Sequence, residues 1–177
     1  MALRKATSYS KRYARPYTRK SSARGKNYIK SVPNQKVVKL HMGDIQGFES
    51  NKYSIIIRMT STERIQIRDN AIEAARQSIH KDLEDNFAGQ YYFGVKVFPH
   101  HVLRENRMLT GAGADRMQTG MAHSFGVTIG RAALVKEGQE IFIVAVNSEK
   151  AQRVTRKALD KIKAKLPCST RILVSKV

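Results

Sequence analysis

The first 43 residues contain twelve lysines and arginines and not one carboxylate; the first acid in the chain is Asp44. Like charges at that density repel, and the stretch is poor in aliphatic side chains, so it cannot bury enough apolar surface to fold alone. A stable core has to come from the rest of the chain. The stretch also holds Tyr9, Tyr13, Tyr17 and Tyr28, four of the seven tyrosines. Rings set among cations suit stacking on unpaired bases, and they serve equally well as spacers in a tail.

The arm is part of a chain-wide excess, with 33 basic against 14 acidic residues and a formal charge of +19 over 177 residues. Solubility needs far less, and such a surplus points to a polyanion, nucleic acid before an anionic membrane. The longest apolar runs, 53–57 and 141–146, are strand-length and too short to span a bilayer. The start lacks the apolar stretch of a signal peptide, and Pro16 and the tyrosines spoil the amphipathic helix of a transit peptide, so the expectation is a cytoplasmic protein. Cys168 is the lone cysteine, which leaves no internal disulfide or cysteine zinc site and suits a reducing compartment.

Pattern divides the chain into three regions. Residues 1–35 form a basic arm broken by Pro16, Gly25 and Pro33, and residues 36–177 form a single globular domain. Residues 36–98 read as β-β-α-β, with strands at 36–41 and 53–60, an additional short strand at 64–68, a helix capped by Asp69 or Asn70, and a strand at 91–98. The helix carries Ile72, Ala75, Ile79, Leu83 and Phe87 at helical spacing and stops at Gly89. A second β-β-α-β comprises strands 127–135 and 140–146, a helix over 148–166 stopped by Pro167, and a strand at 170–175. That helix sets Ala151, Val154, Ala158 and Ile162 on one side and Lys150, Arg153, Lys157 and Lys161 on another. The pattern predicts an α+β fold: a two-layer sandwich of one mixed, largely antiparallel sheet with two helices on one face.

Between the halves lies a long internal loop at 99–126, PHHVLRENRMLTGAGADRMQTGMAHSFG. Structureless loops of this length inside compact domains tend to be functional. Its glycines let backbone approach a ligand closely, and Arg104, Arg107 and Arg116 can fork onto phosphate oxygens. Gly111-Ala112-Gly113-Ala114 is no dinucleotide loop, because it does not pass directly from a strand into a helix and lacks the third glycine. His100, His101, His123 and Asp115 have no recognised metal-ligand spacing, and adjacent histidines on extended chain point apart. No metal or cofactor is expected.

A phosphoryl-transfer enzyme needs converging carboxylates. Five of the acids (Asp69, Glu73, Asp82, Glu84, Asp85) belong to the first helix, where they read as capping and solvated charges. Glu105 and Asp115 read as internal contacts that shape the loop. Catalysis is therefore not expected. Seven bases between Lys150 and Lys165 face only Asp160 within that stretch and Glu149 beside it, which favours phosphate contact over plain solvation.

The loop, with its core ADRMQTGM, strongly resembles the signature of the universal large-subunit ribosomal proteins of the L-sixteen family, in the archaeal and eukaryotic form called L-ten-e. RYARPYTRK in the arm, SVPNQKVVKLHMG at 31–43 and IEAAR at 72–76 resemble that form too, and the chain ends without the longer eukaryotic tail, as archaeal members do. The resemblance implies a non-enzymatic constituent of the large subunit with an α/β-hammerhead fold. It implies binding to large-subunit rRNA near the base of the central protuberance, a loop reaching toward the peptidyl transferase centre and A- and P-site tRNA, and late joining of the subunit. Partners would be rRNA, including 5S rRNA, tRNA and neighbouring ribosomal proteins, with no homo-oligomer.

Carried onto this chain, Arg4, Lys5, Lys11, Arg12, Tyr13, Arg15, Tyr17, Arg19, Lys20, Arg24 and Lys26 in the arm, with Lys150, Arg153, Lys157 and Lys161, are expected on rRNA. Arg104, Arg107, Met108, Gly111, Gly113, Asp115, Arg116, Gln118, Thr119 and Met121 are expected toward the peptidyl transferase centre and tRNA. The rival readings are an RNA chaperone acting outside the ribosome and an RNA-processing enzyme using Asp115, Glu105 and a histidine.

Overall fold

Two antiparallel sheets and two long helices share one core. The computed structural model describes residues 5–10, 29, 31–105 and 126–176. The larger sheet has the order β1-β4-β7-β2-β8, built from β1 (His41–Gly43), β2 (Ile55–Ser61), β4 (Tyr92–Val95), β7 (Glu140–Val146) and β8 (Thr170–Lys176). The smaller has the order β3-β6-β5, from β3 (Ile65–Arg68), β5 (His101–Glu105) and β6 (Val127–Val135). Two short helices, α1 (Thr7–Ser10) and α2 (Ile45–Glu49), precede the long ones. Helices α3 (Asp69–Phe87) and α4 (Glu149–Ile162) pack against each other on one face of the larger sheet. The α+β class and the shared helical face agree with the sequence reading.

The single mixed sheet does not. Every strand pairing among the described residues is antiparallel, and the strands divide into two sheets. The division occurs where β2 turns into β3 and β6 turns into β7. At these two corners Ser61 N–H donates to the Gln139 carbonyl (3.0 Å) and Gly138 N–H donates to the Ser61 carbonyl (2.8 Å). An irregularity at Met59/Thr60 shifts the β2–β7 register just before the corner, and such irregularities bend a strand. Gly138, at φ 74°, supplies the left-handed residue the β6–β7 turn requires.

Alternation accounts for the core. Ile55, Ile57 and Met59 from β2 meet Ile72, Ile79 and Leu83 from α3 and Leu159 and Ile162 from α4. Ile65, Ile67, Ala133 and Val135 place one face of the smaller sheet on that same core. The helical spacing selected Ala151, Ala158 and Ile162 correctly on α4, but Val154 is half-buried while Thr155 and Leu159 are fully enclosed. Ser148 caps α4, its Oγ accepting from Ala151 N–H at 3.1 Å, and a 3-10 turn, Lys163–Lys165, ends the run before Pro167.

Two local expectations fail for the same reason. Asp69 does not cap α3; it is the first helical residue, following Arg68, which makes no capping bond. Its buried carboxylate accepts from Asn70 N–H (2.8 Å) and from Lys36 N–H (3.1 Å), and the Glu73 carboxylate accepts from Val38 N–H (3.3 Å). Backbone donors at 36–38 are thus satisfied by α3 side chains instead of a strand, so the expected strand at 36–41 shrinks to His41–Gly43.

The arm differs most from expectation. The single-turn helix α1 is docked on the outer face of the smaller sheet. Tyr9 is buried against Leu103, Ala132 and Ile129. Its hydroxyl donates to Glu105 (3.3 Å) and its carbonyl accepts from Gln66 Nε2 (2.7 Å). Ile29 is buried too, and Arg131 Nε donates to the Pro33 carbonyl at 2.6 Å. An arm that cannot fold alone is partly ordered by its own body.

Candidate nucleic-acid interface

Charge becomes available to a ligand only where the protein leaves it unpaired, and the two long helices differ sharply here. On α3 four of the five acids expected as capping or solvated charges, all but the exposed Asp85, are in use. Arg76 forks onto Glu73, Nε to Oε2 at 2.8 Å and the second nitrogen to Oε1 at 2.6 Å, with both side chains buried. Gln77 adds a third donor to that carboxylate at 2.9 Å. The bond from Arg76 holds the Glu73 carboxyl below its usual range although burial pushes the other way. Glu84 accepts from the Tyr91 hydroxyl (2.6 Å), which also lies 2.8 Å from His80 Nδ1. Burial, followed by that carboxylate, raises the Tyr91 phenol far above its ordinary value.

On α4 the balance reverses. Lys161 pairs with Asp82 of α3 at 3.2 Å and Lys163 with Asp160 at 2.6 Å. Lys150, Arg153, Arg156 and Lys157 are exposed and form no ion pair among the described residues. Residues 150 to 157 cover about 10 Å of helix axis, a short cationic ridge held rigid by the core beneath it. Of the four expected α4 contacts, three stand unpaired and Lys161 does not. Arg156 belongs with the ridge although helical spacing from Lys150 passes it over; its place in the same basic run was the available signal.

The 99–126 loop is not structureless from its start. β5 pairs with β6 so that Glu105 faces Val127, and the segment between them springs from the end of a ladder. Arg104 donates to the Gly126 carbonyl at 2.9 Å, across the base of the loop, so its guanidinium bonds to the protein there and not only to an outside partner. His100 is exposed, its ring centroid 4.5 Å from that of Phe98, while His101 is buried. Among the described residues no three His, Cys, Asp or Glu side chains come together as a metal site. Cys168 has its thiol pushed up by burial, so it stays protonated at neutral pH. No helix among the described residues is long and apolar enough to cross a membrane.

The sequence that carries this cationic helix on a two-sheet core matches a known family. Residues 13–173 match the family described as ribosomal protein L16p/L10e. The chain belongs to that family. It is 43% identical over 180 residues to the large ribosomal subunit protein uL16 of Hyperthermus butylicus, covering 98% of this chain and 94% of that protein. It is 41% identical over 177 residues to the uL16 protein of Methanococcus maripaludis, covering 99% and 96%. The uL16 protein of Pyrobaculum calidifontis is 42% identical over 176 residues, covering 98% and 94%. These relatives support the archaeal type. L16p/L10e proteins are structural ribosomal proteins and not enzymes.

Several L16p/L10e positions expected from the sequence lie outside the described residues. They are Arg4, Lys11, Arg12, Tyr13, Arg15, Tyr17, Arg19, Lys20, Arg24 and Lys26 in the arm, and Arg107, Met108, Gly111, Gly113, Asp115, Arg116, Gln118, Thr119 and Met121 in the loop, together with His123. Lys5 is described and exposed, one turn from the docked Tyr9. Tyr9 had no signal of its own: one tyrosine among four in a basic run, it became core through contacts with Leu103 and Ala132 far along the chain.

Proposed function

We propose that the protein is a structural constituent of the large ribosomal subunit, working in the cytoplasm, which binds large-subunit rRNA through its basic arm and the exposed ridge of α4. The observation that carries this reading is the row Lys150, Arg153, Arg156 and Lys157, exposed and without ion pairs among the described residues, in a member of the L16p/L10e family. Four unpaired cations repel one another, and phosphates relieve that repulsion while releasing counterions. The arm residues 1–35 follow RNA away from this ridge, anchored to the body at Tyr9. The site lies near the base of the central protuberance and close to 5S rRNA and neighbouring ribosomal proteins. The 106–125 segment, carried on the β5–β6 ladder, extends toward the peptidyl transferase centre and the A- and P-site tRNA ends, and the protein joins the subunit late.

The test is a salt titration of the full chain on its rRNA fragment. Neutralising about six to ten phosphates makes affinity fall about 10³- to 10⁵-fold between about 50 and 200 mM salt; a flat titration overturns the reading. Arm and loop separate by substitution. Deleting residues 1–30 would also remove the Tyr9 and Ile29 contacts, so the cleaner variant changes Arg12, Arg15, Arg19, Lys20 and Arg24 to Gln. It should block incorporation into subunits, whereas bulkier residues at Gly111 and Gly113 should leave incorporation intact and impair tRNA use or final maturation. Failure of both at one assembly step refutes this division.

A further inference from the structure

Beyond the α4 ridge, the molecule has a second, smaller feature that calls for a ligand. Resting on the RNA-binding reading, we propose that the cavity between the arm helix and the start of α3 receives one unstacked RNA nucleotide, with its amino-bearing base inside and its phosphate on the rim.

The cavity is about 230 Å³, and Ala6, Ala71, Ala74 and Pro167 form its walls. These small apolar groups leave room for a flat ring. Its floor is polar. Gln66 is only 1% exposed and donates its Nε2 to the Tyr9 carbonyl at 2.7 Å. That bond sets the amide's orientation, because a flipped amide would turn oxygen against oxygen. Gln66 Oε1 is therefore an acceptor, buried and without a partner. Asn70 lines the same cavity, and its Oδ1 is likewise buried and unpartnered. Buried acceptors of this kind call for a donor.

The rim selects what carries that donor. Arg68 and Lys165 line the cavity, and no carboxylate does. Arg68 lies over the Tyr9 ring, 5.6 Å from its centroid, and Lys165 Nζ makes only a long 3.4 Å contact to the Ala74 carbonyl. Two cations repel a metal ion that the amide oxygens would otherwise hold. They suit a ligand that is anionic at one end and offers N–H groups at the other. A nucleotide with an exocyclic amino group has both, and single-stranded RNA presents such bases splayed out for recognition on their edges. Because Ala6 and the Tyr9 carbonyl belong to the arm, docking of α1 completes the site. A strand engaged by the arm thus also holds α1 in place.

The experiment titrates isotope-labelled full-length protein with AMP, UMP and inorganic phosphate while following side-chain amide resonances. AMP should shift Gln66 and Asn70 saturably, with UMP, which lacks the amino group, weaker by about tenfold. Phosphate should leave both amides unmoved. Ala74→Leu fills the mouth from an exposed helical position, where leucine keeps the helix; it should weaken AMP by about tenfold or more. Amides that ignore AMP, equal shifts with phosphate, or an Ala74→Leu variant that binds AMP normally would each overturn the proposal, leaving water as the occupant in the first case. Wild-type protein that fails to bind the rRNA fragment refutes the ribosomal reading instead and leaves the AMP result standing.

Discussion

Helices α3 and α4 lie side by side on one sheet, yet they use charge in opposite ways. α3 turns its charges inward: Asp69 and Glu73 hold the backbone at 36–38, Arg76 closes on Glu73, and Glu84 accepts from Tyr91. α4 leaves Lys150, Arg153, Arg156 and Lys157 facing solvent without ion pairs among the described residues. A count of charges does not separate a helix whose charges are paired within the protein from one whose charges stay open. What separates them is whether each charge already has a partner within about 4 Å, since only an unpaired one gains from a phosphate.

The largest expected break in that contrast is on α3. Glu73→Ala leaves Arg76 buried without its carboxylate and should cost about 3–5 kcal/mol in urea unfolding, because a lone buried charge is far worse than none. A pH titration sharpens it. Glu73 has its folded pKa lowered, chiefly by the Arg76 bond, so its contribution is present above the unfolded value near 4.5 and is lost as pH falls through the lowered value. Wild-type stability should therefore decline in the window below about pH 4.5, and Glu73→Gln should flatten that part of the profile.

Next comes the ridge. Changing Lys150, Arg153 and Lys157 together to Gln should leave unfolding within about 0.5 kcal/mol per site, since exposed substitutions away from special contacts do little. The same triple variant should make the slope of log affinity against log salt shallower by about 2 to 3, the contribution of three phosphates. Unchanged salt dependence would place the RNA elsewhere. The smallest effect belongs to Lys161, which bridges the helices through Asp82. Lys161→Gln should lower stability by about 0.2–1 kcal/mol and leave the salt slope unaltered. A slope change as large as that from Lys157→Gln would mean that the Asp82 pair opens on RNA.

Legibility followed the range of the interactions. Both long helices and the ends of α4 could be read locally, because periodicity, the Ser148 cap and Pro167 all act within a few residues. The break between the strands at 127–135 and 140–146 was legible, but its joining of two sheets was not, since that depends on Ser61 meeting Gly138 and Gln139. The Lys36 donor was lost to Asp69, 33 residues away, and local alternation has no view of that competition. Of the candidate interface, the basic run on α4 was visible from charge; the proposed cavity at Gln66 and Asn70 was not, because it is assembled from separate segments.

The acid-free start by itself determined that this stretch cannot fold alone, and the hydrophobic periods determined that an α+β body carries the arm. Charge density and helical period are properties of neighbours along the chain, so sequence alone decides them. Tertiary structure alone decided which charges remain available, that Tyr9 joins the core, and that the strands part into two sheets. Each of these depends on a partner distant in sequence, and only folding brings it within hydrogen-bond or van der Waals reach.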